Sequence, residues 1–280
     1  MAAVLSAGTA RARFPGGGRT GTRHAQATDQ TMDASKIPLT PSAIAWPLAA
    51  ATALLVAANL GLQAYRLIAH QEHVVGLAML SMDGENNLPA LFSTLLLFGA
   101  ALILTLIAVL ERRHQSADVS KWALLAAGFA LMSLDEALSF HERTIAPLRA
   151  LLGGQHLGIF FFAWVIPGIA LVCVLGAYFL RFLLRLPRRT AIAFVISAAI
   201  YLGGALGVEL VEGWWREGHG HRNLVYHALV SLEEGMEMAG VIAFIHALLS
   251  YISQRYGEVR FVFAGARHHA AASGPASRSR

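Results

Sequence analysis

The sequence predicts an all-α, polytopic membrane protein: a bundle of about six transmembrane helices with both termini cytoplasmic. Two observations predict the spans and a third predicts the orientation. Of the 280 residues, 56% are apolar and only 14% are charged, about half the charge of an ordinary soluble domain. The mean hydropathy is +0.54, and the apolar residues fall in runs of about 20, long enough to cross a ~30 Å hydrocarbon core as helices. The third observation is the lopsided placement of Lys and Arg along the chain. This composition excludes a disordered chain and argues against a soluble enzyme. The single cysteine, Cys173, excludes an internal disulfide and any cysteine-based zinc or iron–sulfur centre.

Residues 1–38 read as a disordered basic arm, rich in Gly, Ala, Arg and Thr and unable to bury enough surface to order itself. A mis-assigned start upstream of Met32 would produce the same composition. Residues 39–254 form the six-span domain and 255–280 a second disordered basic tail. Hydropathy places the spans near 43–65, 89–110, 122–140, 158–184, 191–212 and 224–250. Pro167 and Gly168 predict a kink in span four, because proline leaves one carbonyl without its donor. Segments near 74–82 and 145–152 are too short to cross and read as interfacial or re-entrant pieces.

Orientation follows from the basic residues. Seventeen of the 22 Lys and Arg fall in the two tails and in the loops after spans two and four. The other side holds Arg66, Arg143, Arg149, Arg216 and Arg222. The positive-inside rule therefore puts both termini in the cytoplasm. The net charge of +5 sets topology and meets anionic lipid, the bilayer being the expected partner; no interleaved basic and aromatic patch points to nucleic acid. Trp46, Trp122, Trp214 and Trp215 lie near span ends and read as interfacial anchors.

Any chemistry lies in three acidic segments. Span three closes with Asp135, Glu136, Ser139, His141 and Glu142. On a continuous helix Asp135 and Glu142 lie about 20° apart, Glu136 sits about 100° off that face, and His141 points away unless the helix breaks. Span five closes with Glu209 and Glu212, neighbours at i, i+3. Span six carries the stripe His227, Ser231, Glu234, with Glu233 and Glu237 beside it. In the six-span topology all three segments occupy the outer half of the bilayer. A charged carboxylate at mid-bilayer costs about 2.5–3.5 kcal/mol on insertion scales. These acids must therefore be protonated, paired, hydrated or bound to a cation. Asp135, Glu142, Glu209 and Glu212 lie near helix ends, where a carboxylate can also simply reach the aqueous interface. Glu233, Glu234 and Glu237 lie roughly 14–20 Å along span six and read as functional.

As metal ligands, Asp135, Glu142, Glu209, Glu212, His227 and Glu234 form an oxygen-rich set with one imidazole. That set suits a divalent metal such as iron, manganese, magnesium or calcium better than copper or structural zinc. The match to di-iron bundles is partial, since the chain has Glu209-x-x-Glu212 but no Glu-x-x-His. No phosphate loop, nucleophile elbow or dinucleotide fingerprint is present in the sequence.

The stretches Asn87-Leu-Pro89, Ser133-Leu-Asp135-Glu136 through His141-Glu142, Trp164 through Pro167-Gly168, and Leu232-Glu233-Glu234 through Glu237-Met238-Ala-Gly240 resemble a family of uncharacterised bacterial multipass membrane proteins. The resemblance covers about residues 43–252 and implies the bacterial inner membrane but no activity. Ser139, Asp135, His141, His219 and His227 also resemble, in residue type though not in spacing, the alkaline ceramidase group, which implies hydrolysis around zinc.

The favoured reading is a metal-dependent enzyme acting on a lipid-like substrate, with Glu233, Glu234 or Glu237 as ligand and general base. The alternatives are a proton- or cation-coupled transporter, helped by Gly203, Gly204, Gly207 and the Pro167 kink, and a non-catalytic assembly subunit. The topology is directly checkable. Reporter fusions after residues 115, 187 and 255 should read cytoplasmic and those after 84, 154 and 219 external; reversal at two of these positions overturns the orientation.

Overall fold

Three of the long helices begin where the sequence supplies a side-chain cap. The computed structural model describes residues 3–7, 40–71, 74–154 and 156–263. Helix α1 (Pro41–Ile68) starts behind Thr40, whose hydroxyl accepts the Ala43 N–H at 3.2 Å. Pro41 takes the first helical position, where no donor is required. A single turn, α2 (Leu77–Leu80), follows. Asn87 caps α3 (Leu88–Arg113) by accepting the Ala90 N–H at 3.1 Å. Asn223 caps α9 (Leu224–Tyr256) through the Tyr226 N–H at 2.9 Å. Between them lie α4 (Val119–Leu138), α5 (Phe140–Leu151), α6 (Val165–Arg185) and α7 (Arg188–Leu202). α7 continues through a π-helical turn, Gly203–Val208, into α8 (Glu209–His219).

Five of these helices are long and apolar enough to cross a membrane, counting α7 through α8 as one span, Arg188–His219. A sixth span results if the bent pair α4–α5 is one element. The all-α prediction of about six spans is therefore met, with the third broken: α4 and α5 meet at 77°. Ser139 is the break, at φ 50° and ψ 48°, a left-handed conformation that costs a non-glycine residue about 1 kcal/mol or more. α5 consequently runs from Phe140, longer than the short segment near 145–152 that hydropathy marks out.

Span four also differs from its prediction. Its helix begins at Val165, after a 3-10 turn at Gly158–Phe160, rather than near 158. Pro167 therefore lies in the first turn, where the missing N–H would have had no partner, and it makes no mid-span kink.

α9 is the central helix. It buries Met238, Val241, Ile242, Ile245 and Leu248 and contacts α1, α3, α7 and α8. α3 buries Leu97, Ala100, Leu104 and Ile107 at helical spacing. α6 buries only Val165 and Phe182, leaving Leu171, Val174 and Leu180 exposed, as suits a face in contact with lipid. Trp122 is not an interfacial anchor. It is 1% exposed and meets Phe182 edge-on, with ring centroids 5.1 Å apart. Trp46 and Trp214 are exposed, as an anchor requires.

Two polar knots tie α9 to its neighbours. Asn59 of α1 donates to Ser231 Oγ at 2.8 Å and accepts the Met82 N–H at 3.3 Å. At the opposite end, Glu111 of α3 is 1% exposed and accepts from Tyr251 Oη (2.8 Å), Tyr256 Oη (2.6 Å) and Arg255 Nε (2.6 Å). Outside the helices, β1 (Ala3–Ala7) pairs antiparallel with β2 (Val259–Phe263). The remainder of the basic arm and the tail beyond 263 lie outside the described residues.

Glu111 is the more consequential knot, because three donors converge on one buried carboxyl. Glu111→Gln keeps its shape but weakens the charge-assisted bonds, and should lower stability by about 2 kcal/mol in thermal unfolding of the detergent-solubilised protein. An unchanged melting temperature would show that the knot contributes nothing.

Candidate functional site

A cavity of about 1030 Å³ opens at the end of the bundle where α3, α5 and α9 begin and α4 ends. Ten of the chain's seventeen Asp and Glu residues line it. Each helix delivers its acids for a local reason. The break at Ser139 turns α5 across the cavity, so that Asp135 on α4 and Glu142 on α5 both face it. The π turn carries the chain into α8 with Glu209 and Glu212 on the inner side, 7% and 3% exposed. α9 supplies Glu233, Glu234 and Glu237.

The break rearranges the first acidic segment. The Ser139 N–H bonds the Asp135 carbonyl at 2.6 Å, ending α4. The Asp135 carboxylate reaches across the corner and accepts both the His141 N–H (3.0 Å) and His141 Nδ1–H (2.7 Å). Asp135 thus caps α5 and fixes the imidazole, whose ring lies 5.0 Å from that of Trp164. Trp164 in turn donates Nε1–H to Glu209 Oε1 at 2.7 Å. His141, set aside on a continuous helix, therefore belongs to the site. Glu136, placed off the face by the same arithmetic, also lines the cavity, near the Ser93 hydroxyl. Glu136 precedes the break, on a stretch of α4 whose contacts with α3 and, through Phe129 on Phe244, with α9 enclose more of its circumference than a single stripe.

Carboxyls meet between elements. Glu212 of α8 and Glu233 of α9 lie close enough to share a proton. Glu142 and Glu85, on the loop between α2 and α3, form a second such pair. The bonds from Glu142 and from the Ser139 hydroxyl hold the Glu85 carboxyl below the usual range. Tyr201 lies beside Glu237. Tyr226, fully buried, donates to Asp83 Oδ1 at 3.1 Å and accepts from Arg216 Nη1 at 3.1 Å. Two arginines line the cavity, and both guanidiniums lie over Phe161, Arg149 at 4.2 Å and Arg216 at 5.1 Å. Among the described residues, no Lys or Arg lies within ion-pair distance of any of these ten carboxylates. Glu209 Oε2 and Glu212 Oε2 are buried without a hydrogen-bond partner there.

Of the residues singled out from the sequence, Asp135, Glu142, Glu209, Glu212, Glu233, Glu234 and Glu237 share this cavity. His227 does not line it. That imidazole faces a second, smaller cavity and takes a bond from Arg66 Nη2 at 2.9 Å, so it is not the proton partner of Glu234. His219 stacks on Trp215 with centroids 4.1 Å apart. Among the described residues, no three His, Cys, Asp or Glu side chains come together as a metal-holding group, so the six expected ligands do not form a ready set for a divalent metal. The sequence reading passed over Asp83, Glu85, Tyr201 and Tyr226. The adjacent acids of Met82-Asp83-Gly84-Glu85 were the available signal for the first two; a tyrosine inside an apolar run gives none.

Of the glycines that seemed suited to hinges, Gly203 and Gly204 are packing sites and Gly207 is not. A Cβ on Gly204 would stand 2.7 Å from the Glu233 carbonyl, and one on Gly240 would stand 2.7 Å from the Tyr201 backbone N. The close approach of α9 to α7 and the π turn sets the position of Glu233 and Glu237.

The fold and the site define an all-helical bundle, compatible with an integral membrane protein, with a carboxylate-lined cavity sunk into one end. The chain belongs to the family defined by a domain of unknown function (DUF8692), whose family model matches residues 48–252. Neither the curated proteins nor the solved structures give a match. The family match lends no support to the ceramidase resemblance.

The glycine packing predicts an asymmetry. Gly240→Ala should cost about 1–3 kcal/mol, because backbone atoms of Tyr201 must move. Gly207→Ala meets nothing within 4 Å and should be neutral or slightly stabilising. Equal melting temperatures for the two variants would contradict the close approach.

Proposed function

We propose that this chain is an integral protein of a bacterial inner membrane, with both termini cytoplasmic, whose cavity binds protons or a cation in the outer half of the bilayer for proton- or cation-coupled transport. The observation that carries this reading is the charge imbalance: ten carboxyl groups and two arginines line one cavity. Ten naked anions at that depth would cost far more than a folded domain's whole stability of about 5–15 kcal/mol. Protons or a cation must therefore occupy the cavity in the working protein. The carboxyl pairs Glu212–Glu233 and Glu85–Glu142 are places where a proton sits in one state and a cation can replace it in another. Glu233, Glu234 and Glu237 lie deepest along α9 and carry the exchange.

A second reading has one observation in its favour. Asp135 holds His141 through Nδ1 at 2.7 Å, which fixes the tautomer and orients the ring as in acid–base sites. A hydrolase for a lipid-like substrate would use His141 as general base, with Asp135 positioning it. A divalent metal such as iron, manganese, magnesium, calcium or zinc would need the carboxylates to rearrange into a ligand set.

The test uses the full chain reconstituted in liposomes. Proton uptake is read with an internal pH dye under an imposed potential, and manganese binding by electron paramagnetic resonance titration. Wild type should move protons or bind manganese; Glu233→Gln and Glu237→Gln should reduce the signal at least tenfold, while Glu111→Gln should not. Absence of both signals in correctly inserted wild type overturns the proposal. Retained signal in Asp135→Asn, alongside loss in the α9 variants, separates it from the His141 reading.

A further inference from the structure

The second cavity carries the opposite charge. About 490 Å³ in volume, it lies at the same end of the bundle between α1, α2 and the start of α9. Arg66, Arg222, His221 and His227 line it against one carboxylate, Asp83, among the described residues. That carboxylate already accepts from Tyr226.

The Arg66–His227 contact defines the chemistry. A guanidinium can only donate, so at 2.9 Å the His227 Nε2 accepts from Arg66 Nη2 and the imidazole is neutral, with its proton on Nδ1. Arg66 thus spends one N–H on a neutral ring and keeps its full positive charge. Arg222 makes no ion pair among the described residues. His227 and a further lining side chain, Gln63, are 3% and 2% exposed, and each has a buried polar atom without a partner among the described residues, His227 Nδ1 and Gln63 Oε1. A buried donor left unpaired is costly, so the Nδ1–H of His227 favours an acceptor. The rest of the lining is apolar: Val74, Val75, Leu77 and Ala78, with Val75 99% exposed. The result is a basic recess with an apolar lip.

We propose that this recess binds the phosphoryl group of an anionic ligand, either a phospholipid headgroup or free phosphate. Arg66 and Arg222 supply the charge-assisted donors, and His227 supplies a neutral one once the side chains close on the ligand. The apolar lip is placed to accept the first carbons of an acyl chain. The proposal does not depend on what occupies the acidic cavity.

The experiment uses the purified full chain in a non-ionic, phosphate-free detergent, titrated calorimetrically with dihexanoyl phosphatidic acid, with inorganic phosphate, and with dihexanoylglycerol. Saturable binding of phosphatidic acid alone identifies a lipid headgroup; binding of both phosphate-bearing probes identifies a phosphoryl site open to either source. In both cases Arg222→Gln should weaken binding about tenfold, and Arg66→Gln by at least as much. Binding of neither probe, equal binding of dihexanoylglycerol, or unchanged affinity in Arg222→Gln overturns the proposal. If Arg66→Gln fails to fold for want of its bond to His227, Arg222→Gln decides alone.

Discussion

Carboxylates cannot stand charged and unpaired against hydrocarbon, and this constraint organises the molecule. Ten of them are gathered from five places in the chain: the α2–α3 loop, α4, α5, α8 and α9. Gathering them lets pairs share protons, lets Trp164 donate to Glu209, and gives them common access to water through the open mouth. Spread singly over lipid-facing helix surfaces, each would bear its full desolvation cost. The apolar packing of α3 and α9 is ordinary by comparison; what it supports is a polar cavity at one end.

Two departures from regular helix create that cavity. At Ser139 the backbone takes a left-handed conformation, and α5 turns by 77° to form a wall instead of continuing the span. Asp135 stabilises the corner by capping α5 with its carboxylate. The π turn at Gly203–Val208 is the second departure. It inserts an extra residue's worth of rotation just before Glu209, and such turns recur at functional sites. Gly204 and Gly240 then admit α9 to near backbone contact. The two departures act on opposite walls, so the acids of α8 and α9 face those of α4 and α5.

The spans and the acidic segments were legible because hydropathy and charge are properties of local sequence. Each long apolar run became a helix. What escaped was conformational. Nothing in Leu138-Ser139-Phe140 announces a left-handed serine, and so His141 was placed by an unbroken helix. Pro167 looked like a mid-span proline only because Gly158–Phe162 was counted as membrane helix when it is a short turn and connection. Trp122 looked like an interfacial anchor because its depth depends on Phe182 and Phe194 beside it, residues distant in sequence. His227 kept helical phase with Glu234, yet phase says nothing about which neighbour fills the groove. Arg66 of α1 does so, and turns the ring toward the basic recess.

The two cavities are not independent surfaces. Asp83 and His221 line both, and Tyr226 joins Asp83 to Arg216 through one phenol. The boundary therefore consists of a carboxylate, an imidazole and a hydrogen-bonded tyrosine between a negative chamber and a positive one. Coulombic attraction across it stabilises both charge sets, with the arginines of one lowering the cost of the anions in the other. A change of charge in either cavity alters the field at Asp83 first. Because Asp83 follows Met82, whose N–H is tied to Asn59 on α1, that change acts on the loop connecting α2 to α3, the same loop that carries Glu85 to its pairing with Glu142. Charge in the recess and protonation at the mouth of the acidic cavity thus share one short segment of backbone, and that segment is where coupling between the two would have to pass.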